Sequence, residues 1–217
     1  MNPDFKELFC SFFKEFKEDE VYNEFSLQHE LGIYLRENLQ KHGNFKVQFE
    51  KNSLDVLGYE EPYPQKELEK RFGNKKIRKK EIDIVVFEEI SNSSINLIVS
   101  IELKYPRNGQ VPESMYSFIK DIRFLEGLTK KGCQNEKCFD KGYFICVVDN
   151  PLFYEVKKKR DGIYEYFRNE NYEVIIQKKT KKPTGKHNDD FDIVLEKEHN
   201  EKWKPQNDKI KYLIIEV

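Results

Sequence analysis

The stretch EIDIVVFEEISNSSINLIVSIELK, residues 81–104, decides how this chain is read. Two apolar, β-branched runs flank Ser91-Asn92-Ser93-Ser94, small polar residues that read as a hairpin loop. Asp83 lies near the start of the first run, and Glu102 and Lys104 close the second. Side chains alternate along a strand, so Glu102 and Lys104 share a face and Leu103 takes the other. The first strand runs away from Asp83 and the second returns toward it. Antiparallel pairing therefore sets Asp83 beside Glu102, with one lysine at the same end of the hairpin.

Two carboxylates held a few ångströms apart in a half-buried setting repel each other. A divalent cation removes the problem, and Mg2+ is commonly held by one or two carboxylates together with waters and phosphate. Lys104, on the same face, could hold an attacking water or offset charge on a phosphate. The residues alone also admit a plain surface hairpin with solvated charges.

Asp83, eighteen intervening residues and then Glu102-Leu103-Lys104 resemble the motif of the PD-(D/E)xK nuclease superfamily. A helix upstream and a helix directly downstream match its flanking pattern, and the resemblance covers about residues 26–149. Ile82 stands where that motif often has proline. The resemblance implies an α/β, restriction-endonuclease-like fold: a central mixed β-sheet flanked by helices on both sides. It implies Asp83, Glu102 and Lys104 as catalytic residues. It further implies Asp83, Glu102 and the Leu103 carbonyl as ligands of Mg2+, with Mn2+ substituting. Glu30, on the upstream helix, is the expected third carboxylate.

The chain has 217 residues and is read as one domain: a helix over 1–25, a core over about 26–149, and strands and polar loops over 150–217. Charged residues are 35% and aromatics 14%, so the surface is highly charged while the core is well supplied. No apolar run approaches a membrane span and no signal peptide is visible, which together with four cysteines points to free thiols in a reducing cytoplasm. Cys133 and Cys138 have no second ligand pair to make a zinc site. No Gly-rich phosphate loop is present.

The net charge of −1 conceals segregation: residues 1–70 hold nine Lys/Arg against fifteen Asp/Glu. Basic runs follow at 75–80, 157–160 and 178–182. The first directly precedes Asp83, and Lys76, Arg78 and Lys79 are its candidate phosphate contacts. Arg107 and Gln110, just past the motif strand, read equally as phosphate contacts or as turn residues.

The periodicity predicts a Phe-rich amphipathic helix over 4–19 and a second helix from Ser26, as cap, to about Gln40. A first strand is expected at Phe45–Glu50, a helical fragment at Gln65–Phe72, and a helix from Pro112 to Leu128. A continuous apolar run at Gly142–Asp149 reads as a buried central strand, giving a βαβ crossover. On the helix before it, Glu126 lies on the apolar stripe and calls for an ion-pair partner, expected from Lys or Arg of the first helices; Asp121 falls off that stripe and is assigned no chemistry. Weaker strands are expected at Tyr172–Gln177, Phe191–Leu195 and Ile210–Val217, with a polar loop over Lys178–Asn188. The expectation is a Mg2+-dependent endonuclease acting on nucleic acid, DNA first, in a restriction or phage-defence setting, with a homodimer left open. The alternatives are a silent nuclease-like binding protein and an RNA-cleaving toxin or processing enzyme.

Overall fold

In the computed structural model, residues 3–17, 19–73, 77–91, 94–107, 110–129, 137–156, 161–183 and 192–217 are described. The chain begins with α1 (Phe5–Glu15) and α2 (Glu24–Leu39), then β1 (Phe45–Asn52), α3 (Ser53–Leu57), α4 (Gln65–Phe72) and a 3-10 turn at Ile77–Lys79. The motif hairpin is β2 (Glu81–Ser91) and β3 (Ser94–Lys104), followed by α5 (Val111–Thr129) and β4 (Lys141–Val148). A 3-10 turn at Pro151–Phe153, α6 (Tyr164–Phe167), β5 (Glu173–Ile176), β6 (Lys179–Thr180), β7 (Ile193–Val194), β8 (His199–Lys202), β9 (Lys204–Pro205) and β10 (Lys211–Glu216) complete it.

The principal sheet has six strands in the order β1-β2-β3-β4-β10-β9. The β3–β4 pair is parallel and the others are antiparallel, so the sheet is mixed and α5 is the crossover between its parallel strands. The chain is thus an α/β fold. Two small ladders, β5–β8 and β6–β7, stand apart from the main sheet.

Alternation along β4 divides the core. Phe144, Cys146 and Val148 pack with α3, α4 and α5, while Tyr143, Ile145 and Val147 pack with the phenylalanines of α1 and the leucines of α2. Helices therefore cover both faces, as the continuous apolar run of a central strand requires.

The N-terminus of α2 lies three residues earlier than expected. Asn23 is its cap, accepting from the Ser26 amide at 2.8 Å, while the Ser26 hydroxyl accepts from the Asn23 amide at 3.0 Å. Ser26 is thus the reciprocal partner in a capping box and not the cap. This shift draws Glu24 into the first turn of the helix.

Glu126 is buried and held as a structural group, but not by Lys or Arg of the first helices. Its carboxylate accepts from the Glu196 amide at 2.9 Å and the Lys197 amide at 3.5 Å, and lies 3.2 Å from His199 Nε2. The contact ties α5 to the segment entering β8. Trp203 is also a packing residue, donating from Nε1 to the Phe167 carbonyl at 3.0 Å. Cys133 and residues 184–188 of the expected polar loop lie outside the described residues.

Candidate functional site

The register Ile84↔Ile101 fixes the hairpin, and one step further Asp83 stands across from Glu102. Each motif carboxylate is held by one oxygen. Asp83 Oδ2 accepts from the Leu103 amide at 2.6 Å, and Glu102 Oε2 accepts from Lys80 Nζ at 2.6 Å. The second oxygens are left over. Glu102 Oε1 is buried with no hydrogen-bond partner, and the Asp83 carboxylate accepts no further hydrogen bond among the described residues. An unpartnered oxygen on a fully buried carboxylate is costly in a closed protein interior and calls for a cation or a proton.

Two lysines and two further carboxylates surround the pair. Lys80 Nζ also donates to Asp121 Oδ1 at 3.2 Å. Lys104 Nζ donates to the Leu103 carbonyl at 2.7 Å and to Glu24 Oε1 at 3.3 Å, and lies 3.4 Å from Asp121 Oδ2. Glu24 Oε2 accepts from the Tyr105 amide at 3.2 Å, tying the first turn of α2 to the end of β3. Asp121 is therefore a buried member of the site that bridges both lysines, against the expectation that it stands apart from the chemistry. The apolar stripe of α5 gave no sign of this, because its partners come from β3 and from the residue before β2.

The electrostatics follow from burial. Loss of solvent pushes the Asp83 carboxyl up to about 6, against the opposing pull of the Leu103 amide, Lys104 and Lys80. Burial raises Glu102 well above the carboxylate range, and Asp83 and then Asp121 add to the rise while Lys80 opposes it. Burial works the other way on the lysines, but the carboxylates outweigh it. Glu102 and Asp121 hold Lys80 above its ordinary value, and Asp121, Glu24, Asp83 and Glu102 do the same for Lys104.

Among the described residues, no group of three or more His, Cys, Asp and Glu side chains is placed to hold a metal ion. Glu102 Oε1 and Asp121 Oδ2 are both buried without a hydrogen bond, and hard carboxylate oxygens such as these and those of Asp83 are what Mg2+ takes. The Leu103 carbonyl, the third expected ligand, already accepts from Lys104. Glu30 is not brought to the site. Its Oε1 lies 3.0 Å from His29 Nδ1 in a pair on the outer surface of α2. Gln28, about 200° around the helix from it, is the α2 side chain that reaches Asp83, donating to its carbonyl oxygen at 2.8 Å. The same amide donates to Glu50, which stands across from Asp83 in the left-handed backbone region at φ 49°.

The basic run splits. Arg78 and Lys79 are exposed on the 3-10 turn, whose backbone is tied to the end of β1 by the Asn52 side chain at 3.0 Å. Arg78 also lies over the Tyr63 ring at 5.6 Å. Lys80 instead turns inward, and Lys76 lies outside the described residues. Arg107 pairs with Asp149 and lies 5.2 Å over the Tyr105 ring. Gln110 is exposed, its carbonyl accepting from the Ser114 amide at the start of α5. No helix among the described residues is long and apolar enough to cross a membrane. Comparison with protein-family models, with curated proteins and with solved structures returned no match.

Proposed function

We propose that this chain is a Mg2+-dependent endonuclease of the PD-(D/E)xK kind, with a restriction-endonuclease-like fold, that hydrolyses phosphodiester bonds in nucleic acid. One observation carries the reading. Two carboxylates on adjacent antiparallel strands are each pinned by one oxygen, and the other oxygen of the buried one has no partner. The charge balance supports it: Asp83, Glu102, Asp121 and Glu24 face Lys80 and Lys104, a surplus of two negative charges when all are ionised. A hairpin bearing the motif between an upstream and a downstream helix, in a mixed sheet covered on both faces, is the setting that the resemblance implies.

Asp83 and Glu102 would hold the metal through those second oxygens. When bound, the metal supplies Lewis-acid stabilisation of the phosphate and lowers the pKa of a bound water. The Leu103 amide and Lys80 fix the two carboxylates, so neither needs reorganisation as substrate arrives. Lys104, kept cationic by its carboxylate neighbours, orients the nucleophilic water. Arg78 and Lys79 meet the phosphate backbone beside the site. DNA as substrate and a role in restriction or phage defence follow the resemblance, and a cytoplasmic setting follows the cysteine usage.

The test is a calorimetric Mg2+ titration alongside cleavage of matched DNA and RNA in Mg2+ and Mn2+. Asp83→Asn and Glu102→Gln should weaken metal binding and abolish cleavage together. Lys104→Ala should abolish cleavage with metal affinity held or raised, since an ammonium is not a ligand. Normal metal binding by Asp83→Asn, or wild-type cleavage by Lys104→Ala, would sink the assignment. Preference for the RNA substrate would redirect it to an RNA-cleaving enzyme.

A further inference from the structure

The motif lysine makes no ion pair with either motif carboxylate. Lys104 is joined to Glu24 and Asp121, and no contact within 4.0 Å links its Nζ to Asp83 or Glu102. The lysine that does touch the pair is Lys80, at 2.6 Å from Glu102 Oε2. We propose that Lys80 is a second catalytic lysine, which donates a hydrogen bond to a non-bridging oxygen of the scissile phosphate. This rests on the nuclease reading and adds a residue to it.

Its contact with Glu102 and its exposure favour Lys80 for that role. An ammonium has three N–H groups. Lys104 donates to two protein oxygens, the Leu103 carbonyl and Glu24 Oε1, and lies 3.4 Å from Asp121 Oδ2 without a hydrogen bond to it. Lys80 likewise donates to two, Glu102 Oε2 and Asp121 Oδ1, and its Nζ lies 4.9 Å from the centre of the Phe124 ring. Its side chain is 33% exposed against 20% for Lys104, so solvent, and hence substrate, reaches it more readily. Its backbone is fixed too, the Lys80 carbonyl accepting from the Ser53 amide at 3.0 Å. Lys80 is also the last residue of the basic run that presents Arg78 and Lys79 to solvent. The same short segment thus carries cations from the exposed surface to the buried pair.

The experiment compares wild type with Lys80→Gln on oligonucleotides carrying a phosphate or either phosphorothioate diastereomer at the cleaved position. Losing one preorganised charged donor should lower kcat by about 100- to 1,000-fold with little change in KM. Wild type should be slowed by sulfur in one diastereomer, in a way that thiophilic metals do not restore, and Lys80→Gln should lose that discrimination. If Lys80→Gln alone fails to fold, the double variant with Asp121→Asn removes a buried carboxylate together with the cation and is read for the same discrimination. Cleavage by Lys80→Gln within threefold of wild type overturns the proposal. So does a slowed variant that keeps the full sulfur discrimination, since that is a structural role only. A wild-type protein that cleaves nothing overturns this proposal and the nuclease reading together.

Discussion

Replacing Asp83 with Asn should make the protein more stable at neutral pH while removing its activity. The ordinary carboxyl pKa of 3.8 rises to about 6 in the fold, with burial the main cause. A raised acid binds more protons folded than unfolded between those two values, so its contribution to stability falls as pH rises through that window. At about 1.4 kcal/mol per pKa unit, the cost of ionising Asp83 in the fold is about 3 kcal/mol above pH 6. An asparagine carries no charge at any pH, and its side-chain oxygen can still accept from the Leu103 amide. Urea unfolding in EDTA should therefore find Asp83→Asn more stable than wild type by about 1–3 kcal/mol at pH 7.5. The gap should close by pH 4. Mg2+ at a hundred times its dissociation constant should then stabilise wild type by about 2.7 kcal/mol and the variant far less. A variant equal to or weaker than wild type at pH 7.5 would refute the account, as would a gap of the same size at pH 4.

Three further outcomes are expected. Alanine at Lys76, Arg78 and Lys79 should weaken nucleic-acid binding evenly across sequences and flatten the slope of log affinity against log salt by up to about 0.9 per phosphate contact, measured by fluorescence anisotropy. Glu126→Ala should destabilise by about 3 kcal/mol or more in chemical denaturation, because it strands the Glu196 and Lys197 amides and His199. Gly127→Ala should cost about 1–3 kcal/mol by the same assay, since an added Cβ would lie 2.3 Å from Phe72 Cδ1 and 3.1 Å from the Arg71 carbonyl.

Local pattern carried the hairpin. The β-branched runs, the turn residues and the alternation of side chains sufficed to bring Asp83 opposite Glu102, and Gln65–Phe72 was legible to the residue. What failed was whatever depended on contacts between distant elements. Lys80 reads as one more surface cation of a basic run, whereas its two partners, Glu102 and Asp121, lie 22 and 41 residues away in the sequence. Glu24 was missed because Ser26 was read as the cap; with Asn23 in that place, Glu24 enters the first turn and its carboxylate meets the Tyr105 amide. Glu30 satisfied a one-dimensional pattern but lies on the wrong side of its helix. The short polar strands at Lys179–Thr180, His199–Lys202 and Lys204–Pro205 have too few apolar residues to show a period of two.

The bridging position of Asp121 has a consequence for the order in which the site comes into being. Glu24, Lys80, Asp83, Glu102 and Lys104 all precede it in the chain, and each lysine has one anionic partner among them, Glu102 for Lys80 and Glu24 for Lys104; Asp121 on α5 is the partner they share. Domains emerge from the ribosome N-terminus first, so the hairpin is synthesised before the helix that balances its charges. A nascent or truncated chain ending ahead of Asp121 would hold each ammonium group by its upstream partner alone, with nothing joining the two. The link between the two lysines would form only as the crossover helix seats against the sheet.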